Sequence, residues 1–273
     1  MIPQAHLTEW FSNAPWLLNI QTEQDLLLSR AIVEIFSDPL LQNSLAFRGG
    51  TALHKLFIHP ANRYSEDIDL VQISEGPIGP IMEALRKRLI PWLGKPKWKL
   101  NEGRATFIFR FESEGVPAIP MRLKVEINTR EHFSVLGLQR FPFKVDNSWF
   151  SGEAAVSTYT LEELLGTKLR ALYQRKKGRD LFDLASALKK LPNLDIPKIL
   201  ECFHRYMSFE SKKISRAEFE ANLAYKIKDL VFLEDILPLL SETIRSHYNV
   251  LEELQHVQDK IISLLPGEPW KGE

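Results

Sequence analysis

A glycine turn followed by an alternating acidic strand constrains this chain more than any other feature of its sequence. The turn lies in the run F-R-G-G-T-A-L, and the strand lies in the downstream run R-Y-S-E-D-I-D-L. Side chains alternate along a strand, so Asp67 and Asp69 share one face while Ile68 and Leu70 point to the core. The spacing therefore predicts a strand–helix–strand unit with two carboxylates on one face.

The chemistry of these two elements indicates phosphoryl or nucleotidyl transfer. Two neighbouring carboxylates repel each other unless a cation lies between them, and a hard divalent ion with oxygen ligands is the usual solution. The glycine turn opens a predicted helix, whose free backbone N–H groups and dipole suit a phosphate.

A third carboxylate, Glu126, lies on the polar face of a later strand. The run M-R-L-K-V-E-I-N alternates, with apolar residues on one face and Arg122, Lys124 and Glu126 on the other. If this strand neighbours the first, Glu126 joins Asp67 and Asp69 in a patch that can hold two Mg²⁺ ions. The alternative is a solvated strand edge and a surface glutamate, and the upstream glycine turn favours the functional interpretation.

The composition limits the class of protein. Lys plus Arg and Asp plus Glu both number 35 in 273 residues. This balance argues against binding to nucleic acid through bulk charge, although not against a local basic patch. The single cysteine, Cys202, excludes an intramolecular disulfide and a cysteine-built metal site. The N-terminus does not resemble a signal peptide and no apolar run could span a membrane, so we expect a cytoplasmic protein of bacterial type with no membrane partner.

The hydrophobic periodicity predicts an α+β protein in two domains. Helical spacing dominates residues 8–41, with a capping box at residues 22–25, and returns from Thr160 to the end. The change of pattern near residues 151–159 predicts a mixed domain over 1–155 and a helical domain over 156–273. Predicted strands cover residues 44–47, 67–73, 106–111 and 121–128, and predicted helices cover residues 52–57 and 78–90, the latter ending near Pro91.

Lys168 lies on the apolar stripe of a predicted helix. The stripe is formed by the leucines of L-E-E-L-L-G-T-K-L-R-A-L, where a lysine needs a partner or must reach water. Lys168 could neutralise the charge of a triphosphate. A lysine at the edge of the stripe with its amine in water is an equally good interpretation of the pattern.

The basic run R-K-K-G-R-D-L-F-D follows this helix. Gly178 is predicted to end one helix, and Asp180 is predicted to cap the next. The run is either a solvated turn or a site for RNA backbone or nucleotide phosphates. Asp183 lies one helical turn beyond Asp180, so both carboxylates could face the same cleft.

Two residues before the acidic strand are weaker candidates for nucleotide binding. Arg63 could reach a phosphate or pair with Glu66, and the local pair is favoured. Ser65 is expected to shape the approach to the strand. The seven histidines show no spacing typical of metal ligands.

Four motifs together resemble the AbiEii/AbiGii toxin family of DNA polymerase β-type minimal nucleotidyltransferases. They extend over about residues 47–188, in the order that the family has. The resemblance implies a polymerase β-like mixed sheet with flanking helices and a C-terminal helical domain that completes the active-site cleft. The motifs are F-R-G-G-T-A-L, R-Y-S-E-D-I-D-L, L-K-V-E-I-N and the long run from L-E-E-L-L-G-T-K to R-D-L-F-D-L.

The resemblance also implies a role for each matching residue. The glycine turn, at Gly49, Gly50 and Thr51, would grip the nucleotide phosphates. Metal binding falls to Asp67 and Asp69, with Glu126 at the position of a third carboxylate. Lys168 would contact the nucleotide, and Asp180 or Asp183 would complete the catalytic set.

The implied function is that of the toxin in a bacterial toxin–antitoxin or abortive-infection system. The reaction would be Mg²⁺- or Mn²⁺-dependent transfer of a nucleoside monophosphate from a triphosphate to an acceptor hydroxyl, with tRNA as the acceptor of related toxins. A separately encoded antitoxin protein would be the partner. Two alternatives stay open: an AMPylation-like enzyme that modifies a protein hydroxyl, and a non-catalytic nucleotide-binding interaction protein.

Overall fold

The computed structural model describes residues 2–14, 16–115 and 117–272. These residues form two compact units, Met1–Tyr159 and Thr160–Glu273. The division falls after Tyr159 rather than after residue 155, because the last strand of the sheet continues to that tyrosine. No helix among the described residues is long and apolar enough to cross a membrane.

A seven-stranded mixed sheet forms the centre of the first unit. The strand order is β3-β4-β5-β2-β1-β7-β6. The pairs β2–β5 and β1–β7 are parallel, and the other neighbours are antiparallel. The strands are β1 (Leu45–Arg48), β2 (Asp67–Gln72), β3 (Lys97–Asn101), β4 (Arg104–Glu112), β5 (Pro120–Asn128), β6 (Leu138–Asn147) and β7 (Phe150–Tyr159).

The described residues of this unit form five helices, and three of their boundaries differ from the prediction. The helix predicted over residues 52–57 begins at Gly49. The second helix begins at Asn19, so Thr22 lies inside it and donates its hydroxyl hydrogen to the Ala14 carbonyl rather than forming a capping box. The fifth helix continues through Pro91 to Leu93. The helices are α1 (Gln4–Trp10), α2 (Asn19–Phe36), α3 (Pro39–Ser44), α4 (Gly49–Ala52), which continues as a π-turn (Leu53–Phe57), and α5 (Gly79–Leu93).

The core of the unit lies on the apolar face of the sheet. Val125 and Ile127 on β5 are fully buried, and Ile68 and Leu70 on β2 are buried beside them. The alternation predicted for both strands is therefore confirmed. Burying each such side chain contributes about 1.5–3 kcal/mol to folding, and this burial fixes which side chains point to the opposite face.

A buried carboxylate ties the glycine-turn segment to α2. Asp25 accepts hydrogen bonds from the indole nitrogens of Trp10, at 2.9 Å, and Trp16, at 3.3 Å. Its third partner is the Lys55 amine in the π-turn, at 2.7 Å. Because a buried carboxylate needs such partners, Asp25 fixes the helical segment after the glycine turn against α2.

The second unit is helical, as the sequence predicts, but two details of the α6–α7 connection differ. The first helix ends at Gln174, so Gly178 begins α7 rather than ending α6. Asp180 is the third residue of α7, and Lys177 occupies the N-cap position. The helices are α6 (Leu161–Gln174), α7 (Gly178–Lys190), α8 (Ile196–Phe209), α9 (Arg216–Lys226), α10 (Leu230–Glu234), α11 (Glu242–Arg245) and α12 (Val250–Lys260).

Candidate active site

The register of the sheet brings the three acidic residues of the first unit together. Strands β2 and β5 are neighbours, with Asp69 beside Glu126 and Asp67 beside Lys124. On the other side of β2, Asp69 is paired with Arg48 of β1. The predicted juxtaposition of Asp67, Asp69 and Glu126 on one face is confirmed, whereas their roles as metal ligands stay predictions.

The glycine turn lies directly against Asp69. Gly49 has φ +82°, a backbone conformation that favours glycine. A Cβ atom at this position would collide with the Asp69 carboxylate oxygen Oδ2. Both backbone angle and space therefore require glycine here, and the turn and the acidic strand form one structural site.

Thr51 holds this turn to the acidic strand. Its hydroxyl lies 2.6 Å from the Asp67 carbonyl oxygen, to which it donates, and 2.7 Å from the Ser65 hydroxyl. Thr51 is only 1% exposed and Gly50 is buried. These contacts give Thr51 and Ser65 a structural function in shaping the site, and their contact with a nucleotide stays a prediction.

Lys124 is a member of the site that the sequence interpretation did not single out. Its amine lies 2.8 Å from Asp67 Oδ2 and 3.7 Å from Glu126 Oε2. Arg104 adds a second cation, with its Nε 3.3 Å from Glu126 Oε1. The alternation of β5 contained the signal, because it places Lys124 and Glu126 on the same face.

The electrostatics of the site raise the pKa of Asp69. Burial is the main cause, and the neighbouring charges of Asp67 and Glu126 add to it. Arg48 and Lys124 act in the opposite direction without cancelling the effect. Burial and the two neighbouring carboxylates therefore both favour the protonated form of Asp69.

The carboxylate oxygens of Asp67, Asp69 and Glu126 are suitable ligands for a hard divalent cation. Carboxylate oxygens are the ligands that Mg²⁺ and Mn²⁺ prefer, and the charges of Asp67 and Glu126 contribute to the raised pKa of Asp69 after burial. Across the described residues, no group of three or more His, Cys, Asp or Glu side chains already converges as a metal site. Lys124 instead lies between Asp67 and Glu126.

Arg63 is buried and donates from Nη1 to the Tyr64 carbonyl oxygen at 3.0 Å. This contact fixes the backbone immediately before β2. Arg48, which precedes the glycine turn, forms an ion pair with Glu131. The two arginines therefore support the two elements that carry the site.

In the helical unit, Lys168, Asp180 and Asp183 form one buried ion cluster. The Lys168 amine lies 3.1 Å from Asp180 Oδ1 and 2.9 Å from Asp183 Oδ2. Both carboxylates are 0% exposed, and the lysine side chain is 7% exposed. The lysine on the apolar stripe therefore has partners, and both aspartates face the same amine, as their spacing on α7 predicts.

Arg175 completes this cluster with two hydrogen bonds to Asp180, from Nε at 2.6 Å and from Nη2 at 2.8 Å. Burial alone would raise the pKa of Asp180, but Lys168 and Arg175 outweigh burial and hold that pKa below its usual value. Asp180 is thus ionised and bound. The catalytic roles of Lys168, Asp180 and Asp183 stay predictions.

The rest of the basic run is paired with carboxylates of the same unit. Lys176 lies 3.2 Å from Asp229, and Lys177 lies 3.1 Å from Asp235. Arg179 also approaches Asp235, at 3.5 Å. These ion pairs join the start of α7 to the segment around α10, and they favour a structural interpretation of the run over an RNA-binding one.

Comparison with known proteins decides the family. Residues 30–257 match the family described as nucleotidyl transferase AbiEii toxin, type IV TA system. The chain belongs to this family. It is therefore a nucleotidyltransferase of the AbiEii toxin type, and the resemblance noted in its four motifs is confirmed. No curated protein sequence matches the chain significantly.

Two solved structures share the fold of this AbiEii-type protein. MenT4, a nucleotidyltransferase toxin from Mycobacterium tuberculosis H37Rv, is 16% identical with a TM-score of 0.59, covering 93% of this chain and 99% of its own. A protein from H. pylori, whose nucleotidyltransferase assignment is provisional, is 19% identical with a TM-score of 0.55, covering 91% and 95%. The α+β nucleotidyltransferase fold is thereby confirmed.

Proposed function

We propose that this AbiEii-type enzyme transfers a nucleoside monophosphate from a nucleoside triphosphate to an acceptor hydroxyl. The hydroxyl releases its proton to solvent as its oxygen bonds to the α-phosphorus, the bond from that phosphorus to the β-phosphate oxygen breaks, and pyrophosphate leaves. The observation that carries the proposal is the register that places Asp69 beside Glu126 and against the Gly49 turn.

The carboxylates Asp67, Asp69 and Glu126 would hold Mg²⁺ or Mn²⁺. The cation would neutralise the negative charge of the triphosphate and of the transition state. The glycine turn begins helix α4, whose first backbone N–H groups would be the donors for a phosphate. Before the cation binds, the Lys124 amine partly neutralises Asp67, so metal binding must displace or share that contact.

The acceptor in this proposal is RNA, and specifically the tRNA that the family resemblance implies. The protein would act as the toxin of its type IV pair, would arrest growth in abortive infection, and would be opposed by a separately encoded antitoxin. A cytoplasmic location belongs to the same proposal, because nucleoside triphosphates and tRNA are found there. A protein hydroxyl is the competing acceptor. Membership of a nucleotidyltransferase family argues against the non-catalytic alternative.

The experiment that tests this proposal offers the two acceptors separately. The purified protein is incubated with each α-³²P-labelled triphosphate and Mg²⁺, together with total RNA or with protein from the same cells. We expect label in RNA of tRNA size and release of pyrophosphate, with no transfer in EDTA. Label in protein alone would replace the RNA acceptor with the AMPylation-like alternative. Absence of transfer to either acceptor would contradict the proposal.

A further inference from the structure

The open face of strands β3, β4 and β5 carries an unusual concentration of positive charge. Residues paired across these strands share a face. The register pairs Lys99 with Thr106 and Thr106 with Glu126, so one row of side chains leads from the carboxylates to the edge of the sheet. Four rows of paired residues on this face carry six cations: Lys97, Lys99, Arg104, Arg110, Arg122 and Lys124.

Only two acidic residues of these strands, Glu112 and Glu126, share that face. The protein as a whole has a net charge of zero, so the excess of four positive charges here reflects segregation of charge. The opposite face of the same strands carries no charged residue. Its buried members include Phe107, Leu123 and Val125.

Four of the six cations have no ion pair within the described part of the chain: Lys97, Lys99, Arg110 and Arg122. All four are exposed. The basic run at the start of α7 behaves differently, because its lysines are bound by Asp229 and Asp235. Exposed cations without partners are free to bind a polyanion, whereas paired ones are not.

We infer that this basic face binds the sugar–phosphate backbone of a single-stranded polynucleotide, the acceptor whose terminal hydroxyl is presented to Asp67 and Asp69. Neighbouring strands lie about 4.8 Å apart, and alternate residues of one strand lie about 6.7 Å apart. The cations therefore form an array with spacings similar to those of successive phosphates in an extended strand.

The array also has the correct position for an acceptor. Lys99 lies two strands from Glu126, which is about 10 Å, so a strand bound along the rows has its end beside the carboxylates. The location of the reacting hydroxyl rests on the proposed function, but binding of the backbone does not.

Salt-dependent RNA binding tests this surface without requiring catalysis. The full-length protein is titrated against a fluorescein-labelled single-stranded RNA of twelve nucleotides, in EDTA and without nucleotide, over a series of KCl concentrations. Each backbone contact to a single strand contributes about 0.7 to the slope of log K against log salt. For Lys97→Glu/Lys99→Glu we expect about tenfold weaker binding and a slope smaller by about 1.4.

The control is Lys87→Glu/Lys144→Glu, which makes the same change in net charge on α5 and on the opposite edge strand. It should bind RNA like the wild type. Equal melting temperatures verify folding, and Lys97→Gln/Lys99→Gln provides a milder variant if charge reversal destabilises β3. We expect this variant to lose the same salt slope with a smaller loss of affinity.

Several outcomes overturn the inference. The first is a wild-type protein that does not bind the RNA. The second is a Lys97→Glu/Lys99→Glu variant that binds RNA as tightly as the control. The third is a protein that does not bind RNA and transfers nucleotide to protein at the same rate with or without the Lys97→Glu/Lys99→Glu change. If RNA binding follows the expected pattern while no nucleotide is transferred, the basic face stands and the proposed reaction fails.

Discussion

The pKa of Asp69 depends on every charged residue around the site that lies close to it. Burial, Asp67 and Glu126 all favour its protonated form, and Arg48 and Lys124 favour its ionised form. A cation can bind only to the ionised carboxylate, so activity is expected to fall as the pH falls through the raised pKa of this group. Lys124 limits the rise, because its amine lies within the carboxylate cluster.

At the residue scale, Lys124→Met should move the acid limb of the pH profile to higher pH. The substitution removes a positive charge that lowers the pKa of Asp69, so a higher pH is needed to ionise that carboxyl group. The dependence of kcat/KM on pH measures the shift, because it reports the ionisations of the free enzyme.

Lys144→Met on β6 is the matched control, since that lysine lies beside the exposed Asp146 and opposite Glu153, away from the carboxylate cluster. Its profile should coincide with that of the wild type. An acid limb that Lys124→Met leaves in place, or moves to lower pH, would show that Lys124 does not influence the carboxylates.

The sequence predicted the three carboxylates at this scale but not their partners. Alternation along two strands assigns Asp67, Asp69 and Glu126 to faces, because the period of a strand is fixed. The contact of Lys124 with Asp67 depends on the lateral register of β2 and β5. One strand alone contains no information about that register.

At the scale of elements, the glycine turn and β2 act together. The close approach of Gly49 to Asp69 places the turn against the acidic strand, and the Thr51 hydroxyl fixes it to the Asp67 carbonyl. Residue 49 must therefore adopt a positive φ and must have no side chain. The hydrogen bond of Thr51, in the same short helix, also holds the turn in this position.

Gly49→Ala should destabilise the protein by about 1–3 kcal/mol, because alanine is strained at positive φ, and should also displace the Asp69 carboxylate. Transfer activity is expected to fall more steeply than stability. Chemical denaturation and initial transfer rates measure the two effects.

Gly79→Ala is the control, because a Cβ at that position meets no atom within 4 Å. It should keep both stability and activity. Equal behaviour of the two alanine variants would mean that the Gly49 turn does not constrain Asp69.

The α6–α7 pair depends on its buried ion cluster. Lys168→Met leaves Asp180 and Asp183 buried without their shared amine, and removing one partner of such a pair costs about 3–5 kcal/mol. Denaturation monitored by circular dichroism should show this loss. Since the pKa of Asp180 is held low, the stabilisation is present at neutral pH and is lost as the pH falls through that pKa.

Lys198→Met on α8 removes an exposed ion pair with Asp195 and should have little measurable effect on unfolding. If Lys168→Met were as stable as this control while losing transfer activity, Lys168 would be a catalytic residue rather than a structural one.

Some elements could be predicted and others could not. The helices of the second unit follow from apolar stripes, and their periodicity is visible along one segment. Strands β3, β6 and β7 were not predicted: all five residues of β3 are exposed, β6 contains Pro142 and β7 contains Gly152. The edge strands β3 and β6 are largely exposed, and edge strands tolerate proline, so neither shows the alternation of a buried strand. The interior strand β7 is buried only over its last four residues, so most of its length lacks that alternation too.

At the scale of the whole molecule, the net charge is zero, but the basic residues are arranged in two different ways. The run at the start of α7 is bound by acidic partners such as Asp229 and Asp235, whereas the open face of β3–β5 presents exposed cations such as Arg110 and Arg122. Composition cannot distinguish these cases, because it gives the number of charged residues but not which of them form ion pairs. The sequence predicted a change from strands to helices near residues 151–159, because periodicity changes there, and the structure divides into two units after Tyr159.

The most direct test of the account is the rate of nucleotide transfer by Asp69→Ala. The half-buried side chain lies on the face of β2 opposite the apolar core, so the variant should fold and melt like the wild type while transfer is abolished. Asp146→Ala, on the edge strand β6, controls for the loss of a strand carboxylate and should keep full activity. Wild-type transfer by a folded Asp69→Ala protein would contradict the assignment of the chemistry to this site.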